Sequence, residues 1–449
     1  MTCSAQCGHC VARGRKIRVQ MNSHDFPFSL AGQKLTGRSG ILELMDDLGR
    51  AMTVEPDMRM LGGGNPAAVP EMQKLVRERM RELVADGPAL DRMLGNYDPP
   101  QGNPRFLTAL ASLLKRTFGW DIGPQNLAIT TGGQSAFFYL FNLLAGRFDG
   151  GRRRKVLLPL APEYIGYADQ GLEGELFVAC RPHITWPQGE GARIFKYTID
   201  FAAVEDALRS EDIACMAVSR PTNPTGNVLT DDEVARLSAL AARHGIPLIL
   251  DNAYGSPFPN VIFTGAQPHW APHVILTLSL SKLGLPGTRT AIVVAPEKIA
   301  SAMAAMTAIV GLANGNVGQQ LALPWVESGE ILEFGPRILR PFYEEKSRAA
   351  AAWTREFFDA ARVDWALHAS EGAFFHWLWL RGLRIPTREL YERLKARKVL
   401  VVPGEYFFFG LREDWSHAHE CLRLNFSQPA NVVREGLQII AEEAARISR

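Results

Sequence analysis

"HVILTLSLSKLGLPGTRTAIVVAP", residues 273–296, decides the fold. An apolar run ends on Ser281-Lys282, a turn built on Gly284, Pro286 and Gly287 follows, and a second apolar run begins just after Arg289. A Walker-type phosphate loop places its glycines before the lysine, where backbone N–H groups cradle phosphate. Here the glycines come after it, so this lysine serves another purpose. Two apolar runs joined by so short a turn predict antiparallel strands, with Lys282 at the carboxyl end of the first.

Working outward, "KVLLPLAP" (155–162), "IACMAVSRP" (213–221) and "IPLILDNAY" (246–254) are further apolar runs with helical segments between them. Continuous apolar strands alternating with helices predict an α/β fold: a mostly parallel sheet covered on both faces by helices. "NLAITTGGQSAFFYLFNLLAG" (126–146) reads as strand, Gly-Gly turn and helix, which is how an anion site is built at a helix N-terminus. Helices are expected near 40–52, 71–85, 103–118 and 330–360. Residues 365–449 mix strands and helices and read as a smaller α+β domain.

The strand ends carry the chemistry. One run ends at Pro162-Glu163-Tyr164, the next at Asn223-Pro224-Thr225-Gly226, the third at Asp251 with Tyr254 close by, the fourth at Lys282. The last three polar groups are spaced by about one strand–helix unit each. Ligands of open α/β sheets bind outside the carboxyl ends of the strands, so Asn223, Asp251 and Lys282 are expected to converge. An amine, a carboxylate and amide or hydroxyl groups around a phosphate suit one chemistry well. A lysine of depressed pKa forms an imine with an aromatic aldehyde, and pyridoxal 5'-phosphate is the obvious case. Its ring nitrogen needs a carboxylate to stay protonated. Its phosphate needs hydroxyls, an arginine and a helix N-terminus.

"SLSKLGLPGTR", "RPTNPTG" and "DNAYG" together resemble the class I/II aminotransferases, pyridoxal-phosphate enzymes of fold type I. The resemblance covers the chain after Met21. "MLGGGNPAAVPEM", "NYDPPQGN", "PLAPEYIGYADQGLE" and "SRPTNPTGNVLTD" are closer still to a subgroup that exchanges an amino group between valine and pyruvate by a ping-pong mechanism. The resemblance implies a large domain with a seven-stranded-type sheet and a smaller α+β domain. It makes Lys282 the Schiff-base lysine and proton shuttle, and Asp251 the partner of the pyridine nitrogen. Asn223 and Tyr254 bond the ring oxygen, and Tyr164 stacks on the ring. Ser279 and Arg289 hold the phosphate with the N–H groups of the Gly132-Gly133-Gln134 turn. Tyr97 resembles a tyrosine that reaches the neighbouring subunit's phosphate, which implies a homodimer with shared sites. Arg423, in "CLRLNFS", grips the substrate carboxylate, with Gly64 and Asn223 beside it. One departure stands out. The broad family commonly places its phosphate arginine eight residues after the lysine; here the interval is seven, as in the subgroup. The alternatives are an aminotransferase of different or broader specificity, or a lyase of the same fold.

The expected organisation is a leader over 1–21, an arm and part of the small domain over 22–75, a large cofactor-binding domain over 76–340 and a small C-terminal domain over 341–449. The chain has 449 residues, 47% hydrophobic, with a formal net charge of +2. Near-neutral charge gives no support for nucleic-acid binding, and no apolar run approaches the roughly 20 residues that span a membrane. The resemblance implies small amino acids and 2-oxo acids as partners. Cys3, Cys7 and Cys10 have a spacing that can hold an iron–sulfur cluster, but basic residues and then Met21, a plausible alternative start, follow at once, so they read as an unstructured leader. Cys180, Cys215 and Cys421 are scattered in apolar contexts and read as core residues of a protein in a reducing cytoplasm. "WSHAHE" (415–420) has a histidine spacing that can bind metal, yet reads as a solvated loop, and no metal is expected.

Overall fold

The computed structural model describes residues 26–53 and 57–448; the Cys3/Cys7/Cys10 leader and Met21 lie outside them. The chain divides into a unit ending at Gly37 and a unit of 38–449. The first holds a short helix, Leu30–Leu35, capped by Ser29, whose hydroxyl accepts a hydrogen bond from Gly32 N–H at 3.1 Å.

In the second unit the central sheet runs Leu127–Thr131, Thr290–Val294, Val274–Ser279, Leu248–Asp251, Ile213–Ser219, Arg153–Leu158. Phe177–Ala179 and the two-residue strand Gly146–Arg147 both pair with Arg153–Leu158, making eight strands in all. The four runs read as strands are parallel neighbours. The return strand Thr290–Val294 is antiparallel to Val274–Ser279, as the tight turn requires. Every residue of Ile213–Ser219 and Val274–Ser279 is buried. Each fully buried Val, Leu or Ile in such a strand contributes about 1.5–3 kcal/mol.

Helices pack on this sheet, and their ends are written in the sequence. Asn103 caps Pro104–Phe118, with Pro104 in the first turn and Gly119 left-handed after the last. Thr230 and Glu233 form a reciprocal capping box on Asp231–His244, which ends at left-handed Gly245. The long helix expected over 330–360 runs from Arg340 to Ala360.

A second sheet runs Val402–Pro403, Cys421–Asn425, Phe375–Leu380, Trp365–His368, Ile194–Thr198, His183–Thr185. Its last two strands come from between two strands of the central sheet, a crossing the apolar runs do not announce. Ile194–Thr198 alternates buried and half-buried residues. It is a half-covered strand, antiparallel to His183–Thr185 and parallel to Trp365–His368, whereas the reading above followed continuous apolar stretches. A parallel pair, Arg59–Met60 with Val399–Leu400, delivers the Gly62–Asn65 segment beside the strand Cys421–Asn425. The solvated-loop reading of "WSHAHE" needs correction at His417. That ring is buried and bonded to the Tyr197 hydroxyl among Trp379, Trp415 and Phe408. Burial holds its pKa down at about 3, so it is a neutral core residue.

Candidate active site

Three adjacent parallel strands stop at the same level. In register, Ser219 lies opposite Asp251, and Asp251 opposite Thr277. Past this row the chain turns and supplies Asn223, Tyr254 and Lys282. All the candidate residues except Gly132 and Tyr97 line one cavity of about 200 Å3. Gly132 stands immediately behind it. Tyr97 is elsewhere, 81% exposed.

Lys282 Nζ donates to the Gly64 carbonyl at 2.7 Å, and among the described residues no carboxylate pairs with it within salt-bridge range. Burial, then the Arg423 and Arg289 charges, pull its ammonium down to about 8, against the opposing pull of Asp251. The amine is thus held near its nucleophilic form by its surroundings.

Asp251 is buried and accepts three hydrogen bonds: from the Tyr167 hydroxyl, from Ala253 N–H at 2.9 Å and from Thr277 Oγ1 at 3.1 Å. Burial still lifts its carboxyl above the ordinary range, so the site favours a further cation beside it.

The anion end is built on the helix Gly133–Leu144. Gly132 caps that helix without a side chain, which leaves its first N–H groups unpaired within the helix. Gly132 has φ +81°, and a Cβ there would meet Arg289 Nη2 at 2.2 Å. Only glycine lets the guanidinium lie against the helix start. The short interval to Arg289 is absorbed in the backbone. Pro286–Thr288 form one tight turn, and Arg289 itself takes a left-handed conformation, φ +47°. Such a conformation costs a non-glycine residue about 1–3 kcal/mol and is typical of functional positions. Ser279 Oγ accepts from Ser281 N–H at 3.1 Å, which keeps its own hydrogen free to donate.

At the other end Arg423 is 2% exposed. Its Nη1 donates to Asn223 Oδ1 at 2.9 Å and its Nη2 to the Gly62 carbonyl at 2.6 Å, while Nε has no partner. Burial draws its pKa down to about 10, which leaves it charged at neutral pH. A buried guanidinium with an unused edge has the chemistry to receive a carboxylate. The rings of Phe375 and Phe407 lie 4.4 and 5.3 Å from its carbon. Phe407 belongs to the "EYFFFG" stretch, whose aromatics are not among the residues that line the cavity.

Sequence reasoning passed over Tyr167, Thr277 and Ser219 and gave Glu163, named at a strand end, no role; these four contact the predicted residues from behind. It also passed over the apolar wall of Ile41, Leu44, Met45, Phe137 and Ile165. Thr277 and Ser219 follow from strand register once the sheet order is known. Tyr167 reaches Asp251 across 84 residues, a distance no local pattern spans. Gly166 was a usable signal, since a Cβ there would strike Tyr164 Cε1 at 2.3 Å, so the tyrosine ring is seated on a glycine.

Residues 68–440 match the family model of aminotransferase class I and II. The chain is 48% identical over 420 residues to the valine–pyruvate aminotransferase of Escherichia coli (strain K12), covering 93% of this chain and 98% of that one. The solved valine–pyruvate aminotransferase of Salmonella typhimurium LT2 superimposes with a TM-score of 0.82 at 46% identity, covering 91% of this chain and 99% of that one. The multiple substrate aminotransferase of Thermococcus profundus shares the fold, with a TM-score of 0.75 at 22% identity over 94% of this chain and 98% of that one.

Proposed function

The chain belongs to the class I and II aminotransferases, fold type I enzymes that use pyridoxal 5'-phosphate, and on that premise we propose that it carries the amino group of L-valine, or a similar small apolar amino acid, to pyruvate. The products are 2-oxoisovalerate and L-alanine, formed in two half-reactions of a ping-pong cycle.

The residues present fit the cofactor on grounds of their own. A lysine of lowered pKa, a buried carboxylate that favours a cation, and an uncapped helix start beside an arginine all face one cavity. Asp251 would hold the ring nitrogen, Asn223 and Tyr254 the ring oxygen, and Tyr164 a ring face. Ser279, Arg289 and the N–H groups at Gly133 and Gln134 would hold the phosphate. When bound, the cofactor supplies an electron sink and stores the amino group between half-reactions.

The observation that carries the reaction is the placing of Arg423 and Lys282 on one cavity with an apolar wall. Arg423 takes the substrate carboxylate through its unused edge. That would fix the substrate's Cα, and Lys282 Nζ would be the base that takes and returns the proton at that carbon. The Gly64 carbonyl gives that free amine an acceptor on which to rest. Ile41, Leu44, Met45, Phe137 and Ile165 receive the side chain and offer no cation to pair with a second carboxylate. Desolvating an acidic side chain there without a partner disfavours aspartate and glutamate.

A donor–acceptor panel on the purified holoenzyme tests this. Valine with pyruvate, and alanine with 2-oxoisovalerate, are expected to exceed aspartate as donor by at least about 100-fold in kcat/KM, the scale on which an unpaired buried charge is rejected. Aspartate or tyrosine turning over faster than valine would overturn the substrate assignment. Ammonia released without a 2-oxo acid acceptor would assign a lyase instead.

The working form is read as a homodimer in the cytoplasm. Tyr97, outside its own chain's cavity and exposed, supports a shared site. Three buried unpaired thiols, Cys180, Cys215 and Cys421, support the compartment. Sedimentation is expected to give twice the 49.6 kDa chain mass. A monomer of full activity would reject sharing.

A further inference from the structure

Glu163 is a carboxylate that the reaction above does not use. It sits next to Tyr164 in the chain and is completely buried. No lysine, arginine or histidine forms a salt bridge with it among the described residues. Three donors converge on it instead. Ser219 N–H reaches Oε1 at 2.7 Å, Ser219 Oγ reaches Oε2 at 2.7 Å, and Tyr164 N–H reaches Oε2 at 3.1 Å. Two of the three come from one residue, so the carboxylate clamps Ser219 by backbone and side chain at once.

The clamp has a direction. A serine hydroxyl has one hydrogen, and here it points at Glu163. Its lone pair is therefore turned to Asn223, whose backbone N–H donates to Ser219 Oγ at 3.3 Å, so that the link passes to the Asn223 side chain through the residue's own covalent frame. Asn223 Oδ1 in turn accepts from Arg423 Nη1 at 2.9 Å. Glu163, Ser219, Asn223 and Arg423 thus form one chain of hydrogen bonds. It runs from a buried carboxyl group behind the sheet edge to the guanidinium at the far end of the cavity. Burial makes each link unforgiving, since a donor or acceptor left unpaired there has no water to replace its partner.

We propose that Glu163 is a positioning residue that acts through the Ser219 hydroxyl on Asn223, and through Asn223 sets the grip of Arg423 on the substrate carboxylate. The proposal rests on the reading of Arg423 as the carboxylate-binding residue. Glutamine in place of Glu163 keeps the shape but turns one acceptor into a donor. Whichever way the amide faces, its NH2 meets Ser219 N–H or Tyr164 N–H. Ser219→Ala leaves the Glu163 carboxyl group in place and removes only the hydroxyl link.

The test measures binding of 3-methylbutanoate, an apolar carboxylate that cannot react, by calorimetry on cofactor-free protein and on holoenzyme. E163Q and S219A are each expected to weaken binding about tenfold. The double variant is expected to lose no more than about twofold beyond either, because both changes cut the same chain. The loss in kcat/KM for valine should appear chiefly in KM. S219A removes a small group and decides the matter alone should E163Q fail to fold. Wild-type affinity in S219A would overturn the proposal. So would effects that multiply to about 100-fold in the double variant, or a lowered melting temperature of E163Q with binding unchanged. Wild-type protein that binds the probe no better than R423A would reject the Arg423 reading, and the relay with it. Binding lost in R423A but kept in E163Q and S219A would reject the relay alone.

Discussion

Lys282→Ala lowers turnover by about 10⁴-fold or more and removes the absorbance of the lysine-bound cofactor. Two functions are lost together: the covalent tether, and the base that moves the Cα proton, a role worth about 10²- to 10⁴-fold by itself. The second function explains why cofactor held by the phosphate and ring contacts alone would not restore the rate. The amine's pKa supplies an independent measurement on cofactor-free protein. Only the neutral amine attacks a carbonyl. With the ammonium pulled from 10.5 to about 8, the rate of capture of a carbonyl reagent, fixed by borohydride reduction, rises with pH and levels off above about 8. An ordinary lysine keeps rising to about 10.4. At pH 7 the shift leaves Lys282 about 300-fold more neutral amine than the ordinary value would. The Ala variant takes up no label at this position. A capture rate still climbing at pH 10, or a Lys282→Ala protein with more than about one per cent of wild-type turnover, would remove the lysine from the centre of the mechanism.

What made Lys282 legible was its setting in a run of local signals. Strand, lysine, glycine–proline turn and return strand occur within 273–296, and each follows from propensity and spacing. Asn223 and Asp251 were legible for a related reason. Parallel strands joined by helices repeat their carboxyl ends at one edge, so polar residues placed there meet whatever the loops do. The second layer was not legible. Ser219, Thr277 and Tyr167 touch Asp251 or its neighbours only because sheet order and register put them there, and order is a property of crossovers rather than of any window of sequence. Glu163 stands at the end of an apolar run, and the sequence gives it no role there. Its significance comes from total burial, and a single sequence does not distinguish a buried glutamate from a solvated one. The hairpin 183–198 was missed because it alternates, while the runs around it are continuously apolar. Arg289 shows the opposite limit. Its short spacing from Lys282 was visible, but the left-handed backbone that absorbs the missing residue was not.

Arg423→Ala is expected to lower kcat/KM by about 100- to 5,000-fold, equally for the amino acid and the 2-oxo acid. The range follows from the cost of breaking a buried charge-assisted pair, about 3–5 kcal/mol, at about 1.4 kcal/mol per decade. The equality follows from chemistry: valine and pyruvate share only the carboxylate, and one guanidinium serves both half-reactions in the same cavity. The loss should exceed that of an exposed arginine because truncation strands three groups rather than one. The substrate carboxylate, Asn223 Oδ1 and the Gly62 carbonyl all lose their donor inside the protein. Part of the cost therefore falls on the fold, and the melting temperature should drop as well. Arg423→Lys separates the two contributions. A lysine keeps the charge but, as a single point donor, cannot bond Asn223 and Gly62 and still present an edge to the substrate. It should recover stability more than activity. Steady-state kinetics with both substrates of both variants, alongside thermal unfolding, check this. If Arg423→Ala kept kcat/KM within tenfold, or lost it for valine and kept it for pyruvate, the carboxylate would have to be held by some other group.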